Sequence, residues 1–123
     1  MTRQDFDTFC APLPAATHVV QWGGSSVWKV GGKIFALCSG GRADGAGTGG
    51  RISFKCSDLS YRMLIEQPGI VPAPYLARAQ WVQVVDPDAL DEDGWEAYLT
   101  AAHGHIARRL TRKQRQDLCL NDL

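Results

Sequence analysis

Ser26-Val-Trp-Lys-Val-Gly-Gly-Lys-Ile-Phe-Ala-Leu-Cys38 is a pair of β-forming runs hinged on Gly31-Gly32. A two-residue glycine turn between such runs is among the strongest short-range signals for a β-hairpin. Pairing across the turn sets Val30 opposite Lys33, Lys29 opposite Ile34, Trp28 opposite Phe35 and Val27 opposite Ala36. Directly opposed residues share a sheet face, so Trp28, Val30, Phe35 and Leu37 are expected to line the buried side. An antiparallel sheet with one buried face needs a second layer over it, and this hairpin sets the register of that layer.

Downstream, Ser39-Gly-Gly-Arg-Ala-Asp-Gly-Ala-Gly-Thr-Gly-Gly50 is too rich in glycine for a helix or a packed strand and reads as a mobile loop. Arg51-Ile-Ser-Phe-Lys-Cys56 then alternates strictly. It is expected to form a strand paired antiparallel with residues 33–38, with Ile52, Phe54 and Cys56 inward and Arg51, Ser53 and Lys55 outward. Ser57 caps a helix with Leu59, Met63 and Leu64 on one side, stopped by Pro68-Gly69. Residues 70–80 are interrupted by proline and read as irregular, and residues 81–85 form a strand closed by Asp86-Pro87-Asp88. Asp91 caps the longest helix, where Trp95, Tyr98, Leu99, Ala102, Ile106 and Leu110 keep the helical period. Thr111 and Gln114 form a capping box that opens a short terminal helix.

Upstream, Thr2 and Asp5 form a similar box, and Phe6, Phe9 and Cys10 share one helical face until Pro12 and Pro14 end it. Residues 15–22 form an edge strand that Gly23-Gly24 turns into the hairpin. The expected architecture is α+β: an antiparallel β-sheet with helices packed on one face, in a single domain spanning residues 1–123.

Basic and acidic side chains balance at thirteen each, and the pI of about 6.8 lies well below the roughly pI 9 of a strongly basic nucleic-acid binder. Any positive surface must therefore come from segregation of charge. No run approaches the roughly 18 apolar residues of a membrane span, and no signal-type apolar segment follows the first residues. A soluble cytoplasmic protein, monomeric and without a membrane partner, is expected. Cys10, Cys38, Cys56 and Cys119 form no Cys-x-x-Cys, so reduced, mostly buried thiols are expected and no metal site. His103 and His105 project about 200° apart on their helix and cannot chelate one ion from it. Gly45-Ala-Gly-Thr-Gly-Gly50 has a strand after it where a dinucleotide fingerprint needs a helix, so no cofactor is expected.

Taken together, Met1-Thr-Arg-Gln-Asp-Phe6, Trp22-Gly23, the Trp28–Leu37 hairpin, Ile52-Ser-Phe-Lys-Cys56, Pro68-Gly-Ile-Val-Pro-Ala-Pro-Tyr-Leu76 and Trp81 resemble the MmcQ/YjbR family. The resemblance implies a CyaY-like (frataxin-like) two-layer α+β sandwich and a DNA-binding protein whose strands and loops present basic side chains to the duplex. Where many members read Asn-Lys-x-His-Trp-Asn, this chain reads Ala77-Arg-Ala-Gln-Trp-Val82, so a lysine, a histidine and an asparagine are absent. Frataxins use an acidic ridge on the first helix in iron chemistry; here that helix offers only Asp5 and Asp7.

The candidate nucleic-acid-binding residues are Lys29, Lys33, Arg42, Arg51, Lys55 and Arg78, several of which the alternation places on one outer face. Such a patch suits double-stranded DNA through its phosphates, while charges on an open sheet also serve simply to prevent aggregation. A second group, Arg108, Arg109, Arg112, Lys113 and Arg115, and the acids Asp86, Asp88, Asp91, Glu92 and Asp93 sit at opposite ends of the long helix, where each complements the helix dipole. No catalytic motif stands out. The reading is a non-enzymatic DNA-binding protein, and the alternative is a protein- or small-ligand-binding domain in which Pro72-Ala-Pro-Tyr-Leu76 rims a groove.

Overall fold

The computed structural model describes residues 1–40, 50–74 and 76–120. Chain order is α1 (Arg3–Cys10), β1 (Ala16–Gln21), β2 (Ser25–Val30), β3 (Lys33–Ser39), β4 (Arg51–Lys55), α2 (Asp58–Leu64), β5 (Ile70–Pro72), β6 (Trp81–Val84), α3 (Glu92–Ala107) and α4 (Arg112–Asp117), with short 3-10 turns at Ala77–Ala79 and Pro87–Ala89. The strands make one antiparallel sheet in the order β1-β2-β3-β4-β6-β5, with the helices packed on one side.

Local signals place most of these elements. Thr2 and Asp5 close the capping box of α1, Thr111 and Gln114 that of α4, and Ser57 and Asp91 cap α2 and α3. β1 is an edge strand bounded by Ala15 and Trp22, both with positive φ. The other edge, β5, falls inside the stretch expected to be irregular. It is three residues long and ends at Pro72, and a short, proline-ended edge resists further pairing.

The hairpin forms about Gly31-Gly32, but its register departs from simple pairing. Val30 faces Lys33 and Lys29 faces Ile34; then a β-bulge shifts the ladder, so Trp28 faces Ala36 and Val27 faces Leu37. The extra residue on β3 is Phe35, and beyond it every side chain changes face. Trp28, Val30, Phe35, Ala36 and Cys38 join the core beneath α1 and α3. Leu37, expected beside Phe35, instead packs with Val27, Ala73 and Trp81 in a smaller cluster on the outer face.

Two further expectations fail, one on α2, whose packed face is Tyr61, Leu64 and Ile65, and one on β4, whose outer side is covered by residues 79 and 80. Leu59 and Met63 of α2 are exposed and only Leu64 enters the core. On β4, Ile52 and Phe54 are buried as expected, yet Ser53 and Lys55 on the outward side are buried too. All four cysteines are free thiols, with Cys119 exposed. Burial pushes the Cys38 and Cys56 thiols up to about 11, and the Cys10 thiol higher. The glycine-rich loop lies from 41 to 49, Arg42 included, outside the described residues.

Candidate functional site

Strand direction sorts the charges. Because every neighbour is antiparallel, the end of β2, the start of β3, the end of β4 and the start of β6 lie at one edge of the sheet. Lys29, Lys33 and Lys55 are all at this edge, on three adjacent strands that span two strand spacings, or about 10 Å. Arg51 is not: it pairs with Ser39 at the far end of β4, roughly 13 Å from Lys55 along the strand. The candidates among the described residues therefore do not all sit at one edge.

Lys55 occupies a place of its own. Its ammonium, buried on the outer face, donates to the Ala79 carbonyl oxygen and to Gln80 Oε1 at 3.3 Å. Cys56 N donates to the Gln80 carbonyl at 3.0 Å. Lys55 is thus a clamp on the segment that carries Arg78, rather than the outward phosphate contact its alternation implied. Desolvation lowers its pKa, and the nearby Arg109 lowers it further. Gln80 keeps positive φ in the clamped turn, a strained conformation for a residue with a side chain.

Arg109 belongs to the second basic group, and packing brings that group to the same edge. A Cβ added at Gly31 would sit 2.6 Å from Leu110 Cδ2, so the hairpin turn lies directly on the α3–α4 corner. Arg108 and Arg109 there are exposed, as are Lys33, Arg78 and Arg112. His105 lies among these cations: Arg108 Nη2 donates to its Nδ1 at 3.4 Å, which requires the neutral ring. Burial lowers the His105 pKa, followed by Arg108, Lys55 and Arg109. Sequence reasoning kept these two basic groups apart, since tertiary packing, the seating of Gly31 on Leu110 included, joins them.

A polar cluster that sequence spacing missed ties α1 to the edge of the sheet. Asp7 Oδ1 accepts from Ser26 Oγ at 2.5 Å and from Trp28 Nε1 at 2.9 Å, and His18 Nε2 is 2.7 Å from Ser26 Oγ. The His18 ring lies against Trp28 with centroids 4.6 Å apart. This is not a serine nucleophile. The Ser26 proton goes directly to Asp7, so His18 donates to the hydroxyl instead of accepting from it, and Ser26 is fully buried. His103 is likewise structural: its Nε2 donates to the Pro14 carbonyl at 2.7 Å. Among the described residues no group of three or more His, Cys, Asp or Glu side chains is placed to hold a metal ion, and no helix is long and apolar enough to cross a membrane.

The model of the YjbR family matches residues 11–105. The chain belongs to the YjbR family. Solved structures agree on the fold. A Deinococcus radiodurans protein with a DUF419 domain superposes with a TM-score of 0.80 at 21% identity, covering 98% of this chain and 90% of its own. A Pseudomonas syringae protein superposes at 0.67 with 20% identity, covering 86% and 99%. No significant match to a curated protein was found. Within this YjbR chain the cations from Arg108 to Arg115 lie beyond the matched segment, whereas Lys29, Lys33, Lys55 and Arg78 lie inside it.

Proposed function

We propose that this YjbR chain is a non-enzymatic DNA-binding protein that holds duplex phosphates at the basic edge of its sheet, through Lys33, Arg78, Arg109 and Arg112. The observation that carries this reading is the seating of the Gly31 turn on Leu110, which gathers cations from separate segments in a chain with no net charge. Lys29 and Arg108 add to the field, and the clamped Lys55 lends its charge from behind. Arg51 is excluded by its position at the other end of β4. Contact is by strand ends, a turn and a helix corner, and it reads phosphate rather than base edges.

A titration on duplex DNA from about 50 to 200 mM salt tests this. Four phosphate contacts give a log-log slope near −3.6, at ~0.9 per contact. Lys33→Ala with Arg109→Ala is expected to weaken binding and make the slope shallower by about 1.8, while Arg51→Ala leaves both unchanged. Undetectable binding at low salt, or indifference to the double substitution, refutes the proposal and leaves the protein- or ligand-binding alternative.

A further inference from the structure

A groove of about 1090 Å³ opens between α1 and the start of α3, the end of that helix opposite the α3–α4 corner. Its apolar surface comes from the half-buried Phe9, Leu13 and Leu90 over the buried Trp95, and acidic side chains stand around it: Asp5, Asp88, Asp91, Glu92 and Glu96. Among the described residues no Lys, Arg or His side chain lines it. Asp5 and Asp91 each give an oxygen to a helix cap. Asp88, Glu92 and Glu96 are exposed, and among the described residues their carboxylates make no hydrogen bond or ion pair. The amino group of Met1, at the rim, offsets one of these charges.

Five carboxylates around one apolar opening select a ligand that is both cationic and apolar. A metal ion does not suit it, since no three of these groups converge. The groove is open and larger than the roughly 300–1,000 Å³ of ordinary small-molecule sites, and Glu92 and Glu96, one helical turn apart, match the i, i+4 spacing of lysines on a second helix. We infer that the groove receives a Lys- or Arg-rich amphipathic segment of a partner protein, with apolar side chains on Phe9, Leu13 and Leu90 and cations paired with Asp88, Glu92 and Glu96. Helix-in-groove recognition of this kind uses anchors at i, i+3, i+4 and i+7. The inference does not depend on DNA binding.

The test uses the full chain and a fluorescent designed peptide of about 14 residues, roughly 21 Å long when helical, with leucines on one face and lysines on the other. Fluorescence anisotropy at low salt is expected to show saturable one-to-one binding. Glu92→Lys with Glu96→Lys should weaken it at least tenfold, and Glu92→Gln with Glu96→Gln by a smaller factor. Glu66→Lys with Asp117→Lys, which changes net charge equally away from the groove, should stay within about twofold. Circular dichroism on each variant confirms folding. Equal binding of a scrambled peptide of the same composition overturns the inference, because charge alone then suffices, as does equal weakening by the distant pair. Spermine competing as tightly as the peptide makes this a small-polycation site instead. Self-association lost on Glu92→Lys with Glu96→Lys makes a second copy the occupant, and that too overturns it.

Discussion

Gly31 and Gly32 are neighbours with opposite demands. Both hold positive φ, at 58° and 79°, so any side chain at either costs about 1–2 kcal/mol of backbone strain. At Gly32 an added methyl meets nothing within 4 Å, whereas at Gly31 it collides with Leu110. Gly31→Ala should therefore destabilise by about 1–3 kcal/mol more than Gly32→Ala, the usual overpacking cost, and equilibrium urea unfolding of the two variants measures the difference. Equal costs would mean that the hairpin does not rest on Leu110. His105 gives a second prediction at this scale. Its folded pKa lies below the ordinary 6.5, so the unfolded chain takes up a proton first as pH falls. Its contribution to stability is complete above pH 6.5 and is lost as pH drops through the interval down to the folded pKa. His105→Gln should flatten the decline in unfolding free energy between pH 6.5 and 5.

Among the elements, β2 bears the most connections, because it pairs with both β1 and β3 and presents Trp28 to α1. Trp28 fills the core with its ring and satisfies Asp7 with its indole N–H. Trp28→Ala is expected to cost ~3–5 kcal/mol, as truncation of a core tryptophan does; a loss well under ~1 kcal/mol would show that the ring is not buried. Trp28→Phe weights the second role, since it keeps one aromatic ring in the core while removing the bond to Asp7. A lost hydrogen bond of this kind leaves a polar acceptor short and costs about 1–3 kcal/mol. The bulge at Phe35 gives this strand pair its further consequence: Phe35 and Ala36 both face the helices, and Leu37 is released to cover the outer face with Trp81.

Across the whole molecule, a chain of zero net charge separates its ions. Cations gather at the sheet edge beside the α3–α4 corner, while the carboxylates around the groove gather between α1 and the start of α3. The direction agrees with the α3 dipole at both ends. A prediction follows for the salt dependence of DNA binding, which counts phosphate contacts and not net charge. Arg109→Ala removes one cation and should make the slope shallower by about 0.9. Glu92→Lys with Glu96→Lys raises the net charge much more, far from the basic edge, and should leave the slope within error of the parent. A slope that tracked total charge would place the duplex over the whole surface and not at the edge.

The sequence by itself determined the elements whose causes are local. Thr2, Ser57, Asp91 and Thr111 each cap the helix that follows, Gly31-Gly32 turns the hairpin, and the alternation at Ile52 and Phe54 sets one face of β4. From these, the α+β class and the antiparallel neighbours of β3 are legible, since period and capping act over a few residues. Tertiary structure alone decided the rest. The bulge at Phe35 puts Leu37 on the outer face with Ala73 and Trp81, residues far along the chain, and Lys55 is buried because residues 79 and 80 fold back over β4 to accept from its ammonium. β5 forms only because β6 offers it a free edge. The site was legible as a list of cations and not as a surface. Lys33 and Arg109 come to the same edge, and Arg51 is left out, through strand direction and the contact of Gly31 with Leu110, and a contact between opposite halves of the chain leaves no periodic trace in either.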